Sequence, residues 1–221
     1  MTQPPSSPPP ERGLFVAFEG GDGAGKSTQV RLLVTALTAA GRSVVVTRQP
    51  GGTELGSQIR DLLLHGGEVS PRAEALLFAA DKAQHVDHLI RPALDRGEDV
   101  VTDRYTDSSI AYQGAGRDLG PDEIHRLLDW AVGGLFPDLT IVLDVPAEVG
   151  RQRRGSVHDR LEREHDEFHD RVRRHFLDLA AAAPARYLVV DGTQPPARLH
   201  TEIVTRLHGI PALAGLREAS G

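Results

Sequence analysis

Apolar and polar positions alternate along this chain between two periods. Short, nearly unbroken apolar runs at Leu14–Glu19, Ser43–Thr47, Asp99–Thr102, Leu139–Asp144 and Tyr187–Asp191 predict five strands. Their continuous hydrophobicity predicts parallel strands covered on both faces. Between them the period lengthens to that of a helix. Val30, Leu33, Val34 and Leu37 recur at helical spacing with Gly41 as the stop, and residues 72–94 carry Leu76, Leu77, Val86, Leu89, Ile90 and Leu94 on a longer helix. Strand–helix alternation predicts the α/β class: a five-stranded parallel sheet with helices on both faces. Ligands of such sheets bind beyond the carboxyl ends of the strands, so chemistry is expected just after each apolar run.

The segment after the first run is Gly20-Gly-Asp-Gly-Ala-Gly-Lys-Ser27, which matches the phosphate-loop pattern G-x-x-x-x-G-K-[ST]. Glycines let successive backbone N–H groups curl around phosphate oxygens, and a helix starting near Lys26 adds its free amides and its dipole. Gly20, Gly21, Asp22, Gly23, Ala24, Gly25, Lys26, Ser27 and Thr28 are therefore candidates for binding a nucleoside triphosphate. Lys26 would reach the β- and γ-phosphates and the Ser27 hydroxyl a Mg²⁺ ion. A chance glycine-rich turn is the bland alternative, and a strand before with a helix after argues against it.

Two further elements bear on what the triphosphate is used for. The third run delivers Asp103 and Arg104 to the sheet's carboxyl edge, Asp103 as a candidate for a Mg²⁺ water and Arg104 for a bidentate phosphate grip. A surface ion pair is the competing reading. The stretch Arg151–Arg174 holds eight arginines and six acidic residues, most simply a solvated, ion-paired helix pair. It also suits a lid that supplies arginine to a transferring phosphoryl group, because residues 21–24 of the loop contain none. No Asn-Lys-x-Asp segment is present, which argues against a guanine-nucleotide switch.

Composition narrows the picture further. At 221 residues, 39% hydrophobic and 25% charged, the chain has ample apolar content for one large domain. A net charge of −6 argues against a nucleic-acid coat or a polybasic membrane binder. The absence of cysteine excludes disulfides, thiolate metal sites and cysteine nucleophiles. No apolar run approaches the roughly 18 residues of a membrane span, so a soluble cytoplasmic domain is expected. Residues 1–13, with five of the fifteen prolines, read as a disordered tail, residues 14–210 as the domain, and residues 211–221 as a flexible C-terminal tail.

Several ordered segments together resemble the thymidylate kinases, a P-loop nucleoside monophosphate kinase family, over about residues 14–208. They are Phe18–Thr28, Thr47-Arg-Gln-Pro-Gly-Gly-Thr53, Glu74–Ala80, Asp103-Arg-Tyr-Thr-Asp-Ser-Ser109, Ala111–Arg117 and Pro137–Thr140, with Asp159-Arg-Leu-Glu162 resembling the family's lid signature. The resemblance implies a P-loop kinase fold with a short lid at about 150–165, ATP and dTMP as substrates, Mg²⁺ and a homodimer. It implies that Asp22 approaches the 3′-hydroxyl of dTMP and the metal's water shell, and that Arg104 binds the acceptor phosphate with help from Arg60. Phe78 would stack on thymine, with core packing as its competing role. Ser108, Ser109 and Gln113 would line the base and sugar pocket, and Tyr112 would crowd the sugar's 2′ side. Lys82 stands where the family usually has a base-reading arginine, and Gln49 where it usually has an acid. The lid is about two residues shorter than the family pattern, which leaves open which of Arg153, Arg154 and Arg160 serves the phosphates. A kinase for another monophosphate and a non-catalytic ATP-binding module are the rival readings.

Overall fold

The computed structural model describes residues 12–153, 160–161 and 163–210. Five strands form one parallel sheet: β1 (Phe15–Glu19), β2 (Val44–Arg48), β3 (Asp99–Asp103), β4 (Leu139–Asp144) and β5 (Tyr187–Asp191), in the order β2-β3-β1-β4-β5. The helices are α1 (Lys26–Ala39), α2 (Glu54–His65), α3 (Pro71–His85), α4 (Arg91–Asp95), α5 (Thr106–Ser109), α6 (Pro121–Val132), α7 (Ala147–Arg153), α8 (Asp166–Ala182) and α9 (Pro196–His208).

Successive residues of β1 point to opposite faces, and each face has its own core. Leu14, Val16 and Phe18 join Leu33 and Leu37 of α1 and Leu199, Ile203 and Leu207 of α9. Phe15 and Ala17 join Val86, Ile90, Leu94 and Val132 on the other side. Burial on both faces is complete only for the three inner strands. The edge strands β2 and β5 are partly open, with Val46 and Val189 exposed, so the expectation of five fully buried strands holds for the centre of the sheet alone. Edge strands have one neighbour and incomplete helix cover, which hydrophobicity along the strand does not register.

The long helix expected over residues 72–94 is divided. A π-helical turn at Val86–Ile90 separates α3 from α4, and the Arg91 N–H bonds back five residues to the Val86 carbonyl. Pro92, at the start of α4, has no N–H to continue the regular ladder. Leu76, assigned above to this helix's apolar stripe, is 59% exposed; the buried side is Ala75, Phe78 and Ala79. A second π-helical turn, Ile110–Gly116, follows α5 and carries Tyr112 and Gln113. Arg12 and Gly13, within the expected N-terminal tail, are attached to the body: Arg12 pairs with Asp138 at 3.0 Å and the Gly13 N–H reaches the Leu94 carbonyl at 3.0 Å. Residues 1–11 and 211–221 lie outside the described residues.

At the amino edge of the sheet, buried Asp99 ties three strands together. Its Oδ1 accepts from the Leu14 N–H at 2.9 Å, and its carboxylate takes both Nε and Nη2 of Arg42, just before β2. Replacing Asp99 by alanine leaves a buried N–H and a partly buried guanidinium without this anion, a loss of about 2 kcal/mol that comes mainly from the N–H. Urea unfolding of Asp99→Ala should show that loss with the turnover of the folded fraction retained, because the site lies at the opposite edge.

Candidate active site

The carboxyl ends of β1 and β3 open onto a cavity of about 570 Å³. One wall is the phosphate loop. Gly20 has φ 126°, and a Cβ there would lie 2.5 Å from the Leu143 carbonyl oxygen of β4, so the tight exit from β1 requires glycine. Gly23 faces α7 in the same way, since a Cβ on it would lie 2.2 Å from the Gly150 carbonyl oxygen. This backbone-to-backbone seat fixes the base of α7, and with it Arg153, beside the loop. Arg153 lines the cavity and donates to the Gly192 carbonyl at 2.8 Å.

Lys26 opens α1 and folds back over the loop, its ammonium donating to the Gly20 and Gly21 carbonyls at 3.1 and 2.9 Å. Burial and the nearby Arg104 hold its pKa below the usual lysine range. Ser27, one residue on, donates from its hydroxyl to Asp103 Oδ2 at 3.0 Å. A hydroxyl and a carboxylate side by side at a phosphate loop form a hard-oxygen pair that suits Mg²⁺, which keeps most of its waters and takes only one or two protein ligands. Gly20, Gly21 and Ala24 shape the loop without lining the cavity, whereas Asp22, Gly23, Gly25 and Thr28 line it.

Arg104 occupies the centre. Its φ of 71° is left-handed, an uncommon state for a residue with a Cβ and one that clusters at functional sites. This conformation turns the guanidinium back across the phosphate loop. It donates to the Gly20 carbonyl at 3.1 Å, Ser108 Oγ at 2.8 Å, Asp22 Oδ1 at 2.5 Å and Tyr112 Oη at 3.2 Å. Although burial works in the other direction, Arg104 and Lys26 hold the Asp22 carboxyl well below its ordinary range. Tyr112 donates to Asp22 Oδ2 at 2.8 Å, lies under the Arg104 guanidinium at 5.1 Å and meets the Phe168 ring edge-on at 5.9 Å. Its ring is held from three directions.

Opposite the loop, Arg60, Phe78, Lys82, Ser108, Ser109 and Gln113 all line the cavity. Arg60 is set by α2, whose Thr53 cap accepts from the Gly56 N–H at 3.0 Å, and it donates to the Pro50 carbonyl at 3.1 Å. Phe78 combines its two expected roles, with a face to the cavity and packing against Ile59, Leu63, Leu64 and Leu161. Lys82 is 1% exposed, with its ammonium 5.2 Å from the Phe78 ring centre, and burial pushes its pKa down to about 8. Gln113 donates to Glu74 at 2.8 Å, and buried Ser109 Oγ has no hydrogen-bond partner among the described residues. Arg160 is placed elsewhere. It stands 2.6 Å from Glu74 and donates to the Leu63 carbonyl, away from the phosphate loop. Arg154 lies outside the described residues, as do the other lid positions 155–159 and 162.

Four contributors received no role from the sequence, although each lies in a segment that carries the resemblance. Glu19, fully buried at the end of β1, accepts from Ser108 Oγ at 2.5 Å and from the Tyr105 and Ser108 N–H groups. Burial, then Asp107, raises its pKa. Arg48 and Leu161 line the cavity, and fully buried Glu74 underlies Gln113. For Glu19 and Arg48 the signal was position, since each ends a strand at the ligand-binding edge.

A phosphate loop between strand and helix, an arginine crossing it from the neighbouring strand and a second lined wall across the same cavity define the class of a P-loop kinase. The comparisons agree. The thymidylate kinase family model matches residues 18–203. A thymidylate kinase of Leifsonia xyli subsp. xyli is 55% identical over 92% of this chain and 99% of its own length. One of Bifidobacterium longum (strain NCC 2705) is 57% identical over 82% and 91%. The crystal structure of thymidylate kinase from Ehrlichia chaffeensis superposes with a TM-score of 0.76 at 32% identity, covering 89% of this chain and 99% of that one. This chain belongs to the thymidylate kinase family.

Gln49 works with buried His85. Gln49 Nε2 lies 2.9 Å from His85 Nδ1, making that ring nitrogen the acceptor and leaving Nε2–H for Thr47 Oγ1 at 2.7 Å. A neutral imidazole fits this pairing, and burial, then Lys82, pushes His85 down to about 4. From pH 6.5 down to about 4 the unfolded chain binds a proton that the folded imidazole refuses, so stability falls as pH drops, by up to about 3 kcal/mol from this residue. Urea midpoints at pH 7 and 4.5 should differ less for His85→Gln than for the native chain; an equal difference would rule His85 out as the source.

Proposed function

We propose that the cavity holds ATP on the phosphate-loop side and dTMP on the side of Phe78, with the reacting phosphates meeting at Arg104. The enzyme is a thymidylate kinase: it transfers a phosphoryl group from ATP to dTMP and forms dTDP. The observation that carries the site reading is the position of Arg104, which touches the phosphate loop at Gly20 and the acceptor side at Ser108 and Tyr112.

In this reading a phosphate oxygen of dTMP attacks the γ-phosphorus in line and ADP leaves. That oxygen is already ionised near neutral pH, so no strong general base is required. Catalysis is positioning plus neutralisation of charge on the transferring group. Lys26 serves the β- and γ-phosphates, Arg104 the acceptor phosphate with Arg60, and Arg153 reaches in from α7. Ser27 and Asp103 would hold Mg²⁺, which when bound shields the phosphate charge. Asp22 is placed for the sugar's 3′-hydroxyl, Ser108, Ser109, Gln113 and Lys82 for the base and sugar, and Phe78 for stacking on thymine. The same reading includes residues 14–210 as the kinase domain, a cytoplasmic setting and a homodimer. Exposed Leu62, Leu76 and Trp130, on the neighbouring helices α2, α3 and α6, supply apolar surface for that dimer.

Two measurements test this reading. Lys26→Ala should lower turnover at least about a hundredfold through lost electrostatic stabilisation, and a folded variant with near-normal turnover would remove the loop from catalysis. Initial rates of ADP release with dTMP, dUMP, the ribo-form of TMP, dGMP and AMP test the acceptor. A single methyl group against an apolar wall gives a preference of about 10- to 200-fold for dTMP over dUMP in kcat/KM. Tyr112→Ala should raise activity on the ribonucleotide relative to dTMP. Purine acceptors that outrun dTMP would overturn the assignment.

A further inference from the structure

Glu74 sits one helical turn before Phe78, and its carboxylate is completely buried. Gln113 donates to Oε1 at 2.8 Å, Arg117 approaches Oε1 at 3.3 Å, and Arg160 stands 2.6 Å from Oε2. Arg117 in turn donates to Glu164 at 2.6 Å and lies 5.3 Å from the centre of the Phe168 ring. Two carboxylates and two guanidiniums balance one another here, which is the condition for burying them together. Neither Arg117 nor Arg160 lines the cavity, but Leu161, next to Arg160, does so and packs against Phe78.

We infer that Glu74 is a positioning residue of the acceptor pocket and that Arg160 is its counter-ion, seating Leu161 against Phe78 as a wall of that pocket rather than serving the transferring phosphate. The inference rests on the reading of this side as the dTMP site. Loss of Arg160 leaves Glu74 to Arg117 and Gln113 alone and loosens the Leu161 wall, whereas loss of the Glu74 charge weakens both the seat of Arg160 and the hold on the Gln113 amide. Both bear on the acceptor and neither touches the phosphate loop, so the effect belongs to dTMP and not to ATP.

Steady-state kinetics of the full chain test this with Glu74→Gln, Arg160→Met and the double variant. Each single variant should raise the KM for dTMP at least about fivefold with the KM for ATP within about twofold, and the double variant should be no worse than the poorer single one, because both remove the same ion pair. Arg160→Lys, which keeps the charge, should recover part of the loss. Additive effects, or an Arg160→Met enzyme whose kcat falls about a hundredfold with the dTMP KM unmoved, would overturn the inference and return Arg160 to the phosphates. If Glu74→Gln does not fold, the comparison of Arg160→Met with Arg160→Lys decides, and an unmoved dTMP KM in Arg160→Met overturns it. A wild-type enzyme inactive with dTMP would be a separate outcome, sinking the acceptor reading and this inference with it.

Discussion

The cavity is organised around the Arg104 guanidinium, held between Asp22 of the phosphate loop and Ser108 of α5 with only 16% of its side chain exposed. A cation that deep is stable only if anions and carbonyls surround it, and the fold supplies them from three elements. The left-handed backbone at residue 104 is part of the same constraint. It directs the side chain across the end of β1, so that strand order, loop and acceptor pocket meet at one residue.

Around this centre the protein manages an unusual density of buried charge. Glu19 lies behind the loop with Ser108 and the Tyr105 amide on it, and Asp107 behind that receives the Tyr187 hydroxyl at 2.7 Å. Burial raises both carboxyls above their usual range. On the acceptor side, burial weakens the hold of Lys82 and His85 on their protons. At the loop the buried cations are held by Asp22 and backbone carbonyls, and behind Phe78 burial drives Lys82 and His85 toward neutrality.

Lys82 and Gln49 illustrate how departures from a family pattern are absorbed. A lysine in place of an arginine offers one point charge instead of a fork, and here it stands against the Phe78 ring. A glutamine in place of an acid pairs with a neutral histidine, and the loop that carries Arg48, Pro50 and Gly51 keeps its attachment to α3 through Thr47, His85 and Asp81.

Periodicity in the sequence specified all five strands, the start of α1 and the class of the sheet, because parallel strands and amphipathic helices are recorded in the order of apolar residues. The phosphate loop was equally legible, since its chemistry lies in eight consecutive residues. Resemblance, not periodicity, placed Phe78, Lys82 and Tyr112 at the acceptor. What the sequence could not express is which side chains meet across the sheet. Edge exposure of β2 and β5 depends on strand order, and the π-helical turns depend on how the ladder adjusts in three dimensions. Arg160 reads as one more arginine in a charged stretch; only the approach of α3 gives it Glu74 as a partner, 86 positions away in the chain. Long-range ion pairs are decided by packing, because burial sets both the cost of a charge and the identity of the counter-charge within reach.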